Sequence, residues 1–147
     1  MPEQETVRRA RRDKREGKAP STQAGEFVRE EIHHIREGKH GARSTKQAVA
    51  IGLSKARRAG VTLPPPANAK ASTKRSAASA SRAGRRRARP SPRRSRATLR
   101  ALKREGRSAA SRKALSRQAT TAARRRSAAS PSAAARKAAR TRARAND

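Results

Sequence analysis

Nine of the fourteen Val, Ile, Leu, Met and Phe residues in this 147-residue chain lie between Phe27 and Leu63. A core forms where large apolar side chains leave water, so any core must sit in that window and must be small. The 32% hydrophobic content does not alter this, because 33 of those residues are alanine. Beyond Leu63 the chain changes character. Residues 64–147 carry twenty-six Lys or Arg against two acids, Glu105 and Asp147, in a background of Ala, Ser and Pro. Such a segment repels itself and has too little apolar surface to offset its conformational entropy. Leu63-Pro64-Pro65-Pro66 marks the join, since consecutive prolines break a helix and favour an extended segment. The expected fold is mostly α: a small two- to three-helix head over residues 1–63, then a long disordered Ala/Arg/Ser-rich basic tail over residues 64–147.

Within the head, a period of 3.6 residues predicts helices over about 22–37 and 45–59. In the first, Ser21 or Thr22 is the expected N-cap. Phe27, Val28, Ile32 and Ile35 fall on one face; Arg29, Glu30, His33, Arg36 and Glu37 fall on the other. Gly38 stops the helix and Lys39 to Arg43 form a turn. The second helix opens on Ser44-Thr45-Lys46-Gln47, a capping-box pattern, and closes on Gly60 followed by Val61. Ala48, Val49, Gly52, Leu53 and Ala56 form its inner face. Lys46, Gln47, Ala50, Ser54, Arg57 and Arg58 form an outer face, with small residues in its middle and cations on its flank, shaped to lie on a phosphate backbone. Ile51, between the faces, reads either as a dimer contact or as the core edge. Residues 3–17 predict a surface helix ending at Gly17.

Charge directs attention to partners. Residues 1–60 hold fifteen Lys or Arg against eight acids, a net +7; residues 61–147 hold twenty-six against two, a net +24. A polycation of this density is matched by a polyanion, and nucleic acid is the abundant one. The candidate DNA-binding residues are Lys39, Arg43, Lys46, Lys55, Arg57 and Arg58 in the head. In the tail they are the clusters Arg85-Arg86-Arg87 with Arg89, and Arg124-Arg125-Arg126, where each guanidinium offers a planar fork of donors. Arg93 and Arg94 join them through Ser91-Pro92-Arg93-Arg94. This looks like the Ser-Pro-basic-basic turn of histone tails, whose paired cations reach a narrow minor groove. Residues 98–115 carry Leu99, Leu102 and Leu115 among basic residues and predict a helix formed on DNA, interrupted at Gly106.

The same composition argues against other chemistries. There is no cysteine. His33, His34 and His40 stand near Glu30 and Glu37, but adjacent histidines point to different faces of a helix, so a solvated pair is expected and no metal site. The serines lack a Ser-His-Asp context and no phosphate-binding glycine loop is present, so neither catalytic residue, cofactor nor small-molecule substrate is expected. No apolar run is long enough for a membrane span or signal peptide, and the tail lacks the aromatic and leucine face of a membrane-surface helix. The chain is therefore expected to be cytoplasmic and to avoid membranes.

The stretches Gly25 to Glu31 and Arg36 to Gly60 (REGKHGARSTKQAVAIGLSKARRAG), closing on Leu63-Pro64-Pro65-Pro66, resemble a family of small basic proteobacterial proteins. The family is functionally uncharacterised and provisionally labelled DNA-binding; it supplies no site residues to transfer. The likeness extends through Arg11 to Pro20. By composition, the tail resembles the Ala- and Lys/Arg-rich tails of linker histones. The expectation is a non-enzymatic, histone-like, nucleoid-associated protein that binds and condenses duplex DNA with little regard for sequence. A tail of net +24 matches about 40 Å of duplex, near twelve base pairs. As a flexible coil it would span about 50 Å, enough to bridge two duplexes. The alternative is an RNA-binding protein of ribosomal-protein type using the same tail. A single Phe and no Trp or Tyr weigh against base stacking and towards contacts with a duplex backbone.

Overall fold

Helices dominate the chain because its residues are mostly good helix formers punctuated by Gly and Pro. A computed structural model describes residues 2–87, 89–125 and, beyond them, 135, 136, 138–140 and 143. Its elements are α1 (Gln4–Arg15), α2 (Pro20–Arg36), α3 (Thr45–Arg58), α4 (Ala71–Arg85), α5 (Pro92–Lys103), a 3-10 turn (Ser108–Ala110) and α6 (Arg112–Arg124). No strand occurs among the described residues.

The first three helices end in the same way. Gly17, Gly38 and Gly60 sit just past them with φ of 71°, 79° and 95°. At the end of α3, Gly60 N–H donates to Arg57 O (3.1 Å) and Val61 N–H to Ala56 O (3.0 Å), the paired closing bonds of a Schellman cap. The starts differ from one another. Ser44 Oγ accepts from Gln47 N–H at 3.2 Å, as predicted, but Gln47 Oε1 accepts from Arg43 N–H (2.7 Å) one residue outside the expected box. α2 begins at Pro20 rather than after Ser21 or Thr22, and Ala19 before it makes no side-chain cap. Proline at the first helical position needs no cap for its missing N–H and is already set to helical φ.

Packing occurs in two clusters. Phe27 is fully buried with Ala10, Ala24, Ala56 and Val61, where α1, α2 and α3 meet, and Val7, Leu53 and Leu63 cover them. Ile32 and Ile35 pack with Ala42, Ala48, Ala109 and Ala110, covered by Val28 and Leu115. The second cluster reaches across the expected boundary at Leu63, because three of its members come from the basic half of the chain. Thr45 Oγ1 donates to Ala109 O at 2.7 Å and Arg36 Nε to Ala110 O at 2.9 Å, fixing the 3-10 turn against α2 and α3. α4 lies along α3 with Ala77 and Ala80 buried. The mostly α expectation is met, while the expected disordered tail is met only in part: α4, α5 and α6 are helical, and α4 and residues 108–115 lie against the head. Alanine supplies little area per residue, but it lets backbones come close. A Cβ on Gly84 would stand 2.5 Å from Arg57 O, and one on Gly52 would stand 2.7 Å from Val28 Cα.

Two substitutions separate close approach from helix propensity. Gly52→Ala is expected to destabilise by about 1–3 kcal/mol through overpacking. Gly25→Ala, with nothing within 4 Å of the added Cβ, should stabilise by about 0.5–1 kcal/mol. Truncation after Pro66 should lower the melting temperature, because it strips Ala109, Ala110 and Leu115 from Ile32 and Ile35. Thermal unfolding followed by circular dichroism measures all three.

Candidate nucleic-acid interface

All eight acids before residue 60 are engaged in ion pairs. Arg9 Nε lies 2.9 Å from Glu26 Oε2 and joins α1 to α2. Lys18 Nζ lies 2.8 Å from Asp13 Oδ1 and 2.7 Å from Glu16 Oε2, across the α1–α2 turn. Lys55 Nζ lies 2.6 Å from the buried Glu31 Oε2 and joins α3 to α2. Lys39 Nζ bridges Glu3 Oε1 (3.2 Å) and Glu37 Oε2 (3.1 Å). The exposed pairs among them contribute little stability one by one. Their collective effect is on charge: the head compensates its own carboxylates.

The basic half has no such compensation. Among the described residues, every ion pair lies between Glu3 and Lys55. Arg85, at the end of α4, and Arg86, Arg87 and Arg89 after it are exposed, as are Arg93 and Arg94 in the first turn of α5 and Arg124 and Arg125 at the end of α6. Each is a planar donor fork with no carboxylate partner, suited to bidentate contact with phosphate. Arg126 lies outside the described residues. In the head, Arg43, Lys46 and Arg58 are exposed and equally unpaired.

Three of the expected contact residues have partners within the head. Lys55 is held by Glu31, and Lys39 by Glu3 and Glu37. Arg57 is buried with Nε donating to Leu63 O at 2.8 Å, and burial lowers its pKa from the ordinary guanidinium range. These side chains hold the head together. The outer face of α3 is corrected in part: α4 runs beside Ser54 and Arg58, leaving the Lys46 and Ala50 end open. The Ser91-Pro92-Arg93-Arg94 turn is replaced by a helix start, with Pro92 at the first position of α5. Proline presets either geometry, and the residues after Arg94 are helix formers. The predicted break at Gly106 is present, between α5 and the 3-10 turn.

The expected solvated histidine pair is met at His33 and not at His34. His33 is exposed, with Nε2 2.8 Å from Glu37 Oε1. His34, expected to be solvated, is 9% exposed, and Glu30, assigned to the outer face, is 4% exposed. Glu31 is fully buried beside them. The signal that reveals them is spacing: Phe27, Glu31, His34 and Ile35 share one helical stripe, so these polar residues occupy core positions.

Residues 3–67 match a family described as a family of unknown function (DUF6496). No curated protein and no solved structure matches the chain.

The Lys39 bridge produces a pH dependence of determinable sign. Glu3 is held below the ordinary 4.5, first by its hydrogen bond with His34 and then by Lys39; Glu37 is lowered chiefly by Lys39. Lys39 is raised above the ordinary 10.5, first by Glu37 and then by Glu3. The carboxylate contribution is complete above 4.5 and is lost as pH falls through the lowered native values. The Lys39 contribution is complete below 10.5 and is lost as pH rises through its raised value. Lys39→Met should therefore flatten both the acid and the alkaline limb of stability against pH, read from urea midpoints.

Proposed function

We propose that this chain binds duplex DNA without enzymatic activity and largely without regard to sequence, neutralising phosphates and so condensing the duplex. The observation that carries this reading is the segregation of charge. Carboxylates of the head are consumed by its own ion pairs, whereas the exposed cations from Lys70 to Arg125 meet none among the described residues. Binding then runs through counterion release: each guanidinium that meets a phosphate frees a condensed cation, and the entropy of those ions drives association. Phosphate contacts carry no sequence information, so discrimination among sites is slight. Docking of α4 and of residues 108–115 on the head changes the geometry of condensation. Instead of one loose coil, cations project from several helices of one body, so separate duplexes can be held at its different sides. A nucleoid-associated role follows from this activity.

A single-strand or RNA reading has weaker support. Base stacking needs an exposed aromatic ring, and Phe27 is fully buried in the core. No helix among the described residues is long and apolar enough to cross a membrane.

Changing Arg85, Arg86, Arg87, Arg89, Arg93 and Arg94 together to Gln should reduce the slope of log affinity against log salt by up to about 5, near 0.9 for each phosphate no longer engaged. Fluorescence anisotropy on duplexes of two unrelated sequences should give the same change. Tighter binding to a structured RNA than to duplex DNA at equal salt would replace this reading with the RNA-binding one.

A further inference from the structure

Under α5 lies a groove of about 500 Å³. Its floor is a buried polar cluster that the DNA-binding reading leaves unused. Glu31, His34 and His40 each offer one ligand atom there, all within 4.8 Å of one another, and their side chains are largely buried. Glu31 comes from the inner stripe of α2, His34 from one turn further along, and His40 from the turn after Gly38 that folds back over them.

The hydrogen bonding is incomplete without a cation. His40 Nδ1 lies 3.0 Å from Gly41 O, and a carbonyl only accepts, so Nδ1 carries the proton. In a neutral ring this leaves Nε2 as a lone pair, 3.2 Å from Glu31 Oε1. Two acceptors then face each other. Glu31 Oε1 is buried and accepts no hydrogen bond among the described residues, while Oε2 of the same carboxylate is held by Lys55. A buried carboxylate oxygen without a partner is costly, and a cation between it and an imidazole lone pair removes that cost. His34 is oriented by Glu3, whose Oε1 lies 2.8 Å from its Nε2. A ring nitrogen fixed by a carbonyl or carboxylate is the usual outer support of a metal-binding histidine.

We infer that Glu31, His34 and His40 form a binding site for a divalent transition metal of the zinc class. Two histidines and one carboxylate are a known zinc donor set, with bonds of about 2.0–2.2 Å and room for a fourth ligand. Ligands on a tetrahedral zinc stand about 3.3 Å apart, so the set closes slightly on binding. The groove supplies the entry path and the fourth position. Lys55 keeps Oε2, so the carboxylate binds through Oε1 alone, and the lysine charge moderates the affinity. His33, one residue away but on the exposed face, takes no part.

Cobalt(II) titrated into the full chain tests this, read by its visible d–d absorption and by displacement with zinc. One equivalent per chain should bind with the intense bands of a four-coordinate site. His40→Ala and Glu31→Gln should each weaken binding at least tenfold, His33→Ala should leave it unchanged, and Lys55→Met should tighten it. Nitrogen-15 shifts of the imidazoles in the unaltered chain, moving on zinc addition for His34 and His40 but not His33, need no variant to fold. The inference is overturned if the folded chain takes up neither metal, or if His33→Ala abolishes uptake. In that case the contact of His40 with Glu31 is structural only. DNA affinity does not enter the readout, so either reading can fail alone.

Discussion

Helices that carry few large side chains gain packing energy only by bringing their backbones close, because dispersion falls off steeply with a small gap. This constraint shapes the helix contacts among the described residues. Gly52 of α3 sits against the backbone of Val28 in α2, and Gly84 of α4 against the last carbonyls of α3. Around these points the buried residues are mostly alanines: Ala24, Ala48, Ala56, Ala77, Ala80, Ala109 and Ala110. Among the described residues, only Phe27, Ile32, Ile35 and Val61 are large apolar residues with comparable burial. The fold is a stack of smooth helix faces with four bulky anchors, and its stability depends on small residues staying small.

The sequence made the head legible and obscured the rest for the same reason. Chain ends of helices are written in local chemistry, so Gly17, Gly38, Gly60 and the Ser44–Gln47 cap were readable one residue at a time. A core counted in large apolar residues is also readable, and Phe27, Ile32 and Ile35 are where that count put them. Alanine defeats the count. In the basic half it is at once a helix former, a filler and a contact residue, and periodicity cannot say which. Ala109 and Ala110 are buried against Ile32 and Ile35, with Thr45 and Arg36 bound to their carbonyls. Nothing local to residues 108–110 announces partners 64 and 74 positions away. The buried carboxylates are hidden for the opposite reason. Charge reads as a mark of the surface, although Glu31 occupies the stripe set by Phe27 and Ile35. Among candidate cations, hydrophilicity alone could not separate Lys55 and Arg57, which brace the head, from Arg58, which faces solvent.

That separation explains how one chain of net +31 both folds and leaves charge to spare. A carboxylate buried without a counter-charge is strongly destabilising, so Glu31 requires Lys55 or a bound cation. Once each acid of the head has its cation, no negative charge is left to offset the helices that follow. Their docking on α3 proceeds against like-charge repulsion, and salt or a polyanion screens that repulsion.

α5 shows the balance at its thinnest. None of its residues is buried. Its C-terminal end is tied to the head by two backbone bonds, from Gly41 N–H to Leu102 O (2.9 Å) and from Ala42 N–H to Gly106 O (3.0 Å). Its first turn carries Arg93 and Arg94, where the helix dipole disfavours cations. An anion at that end would offset both the dipole and the guanidinium charges, so a phosphate there favours the docked helix as well as the complex. By linkage, α5 should then roof the groove over His40 more firmly with a polyanion at that end than without one. The least-held helix of the structure is thus the element through which the charged surface and the buried polar cluster can influence each other.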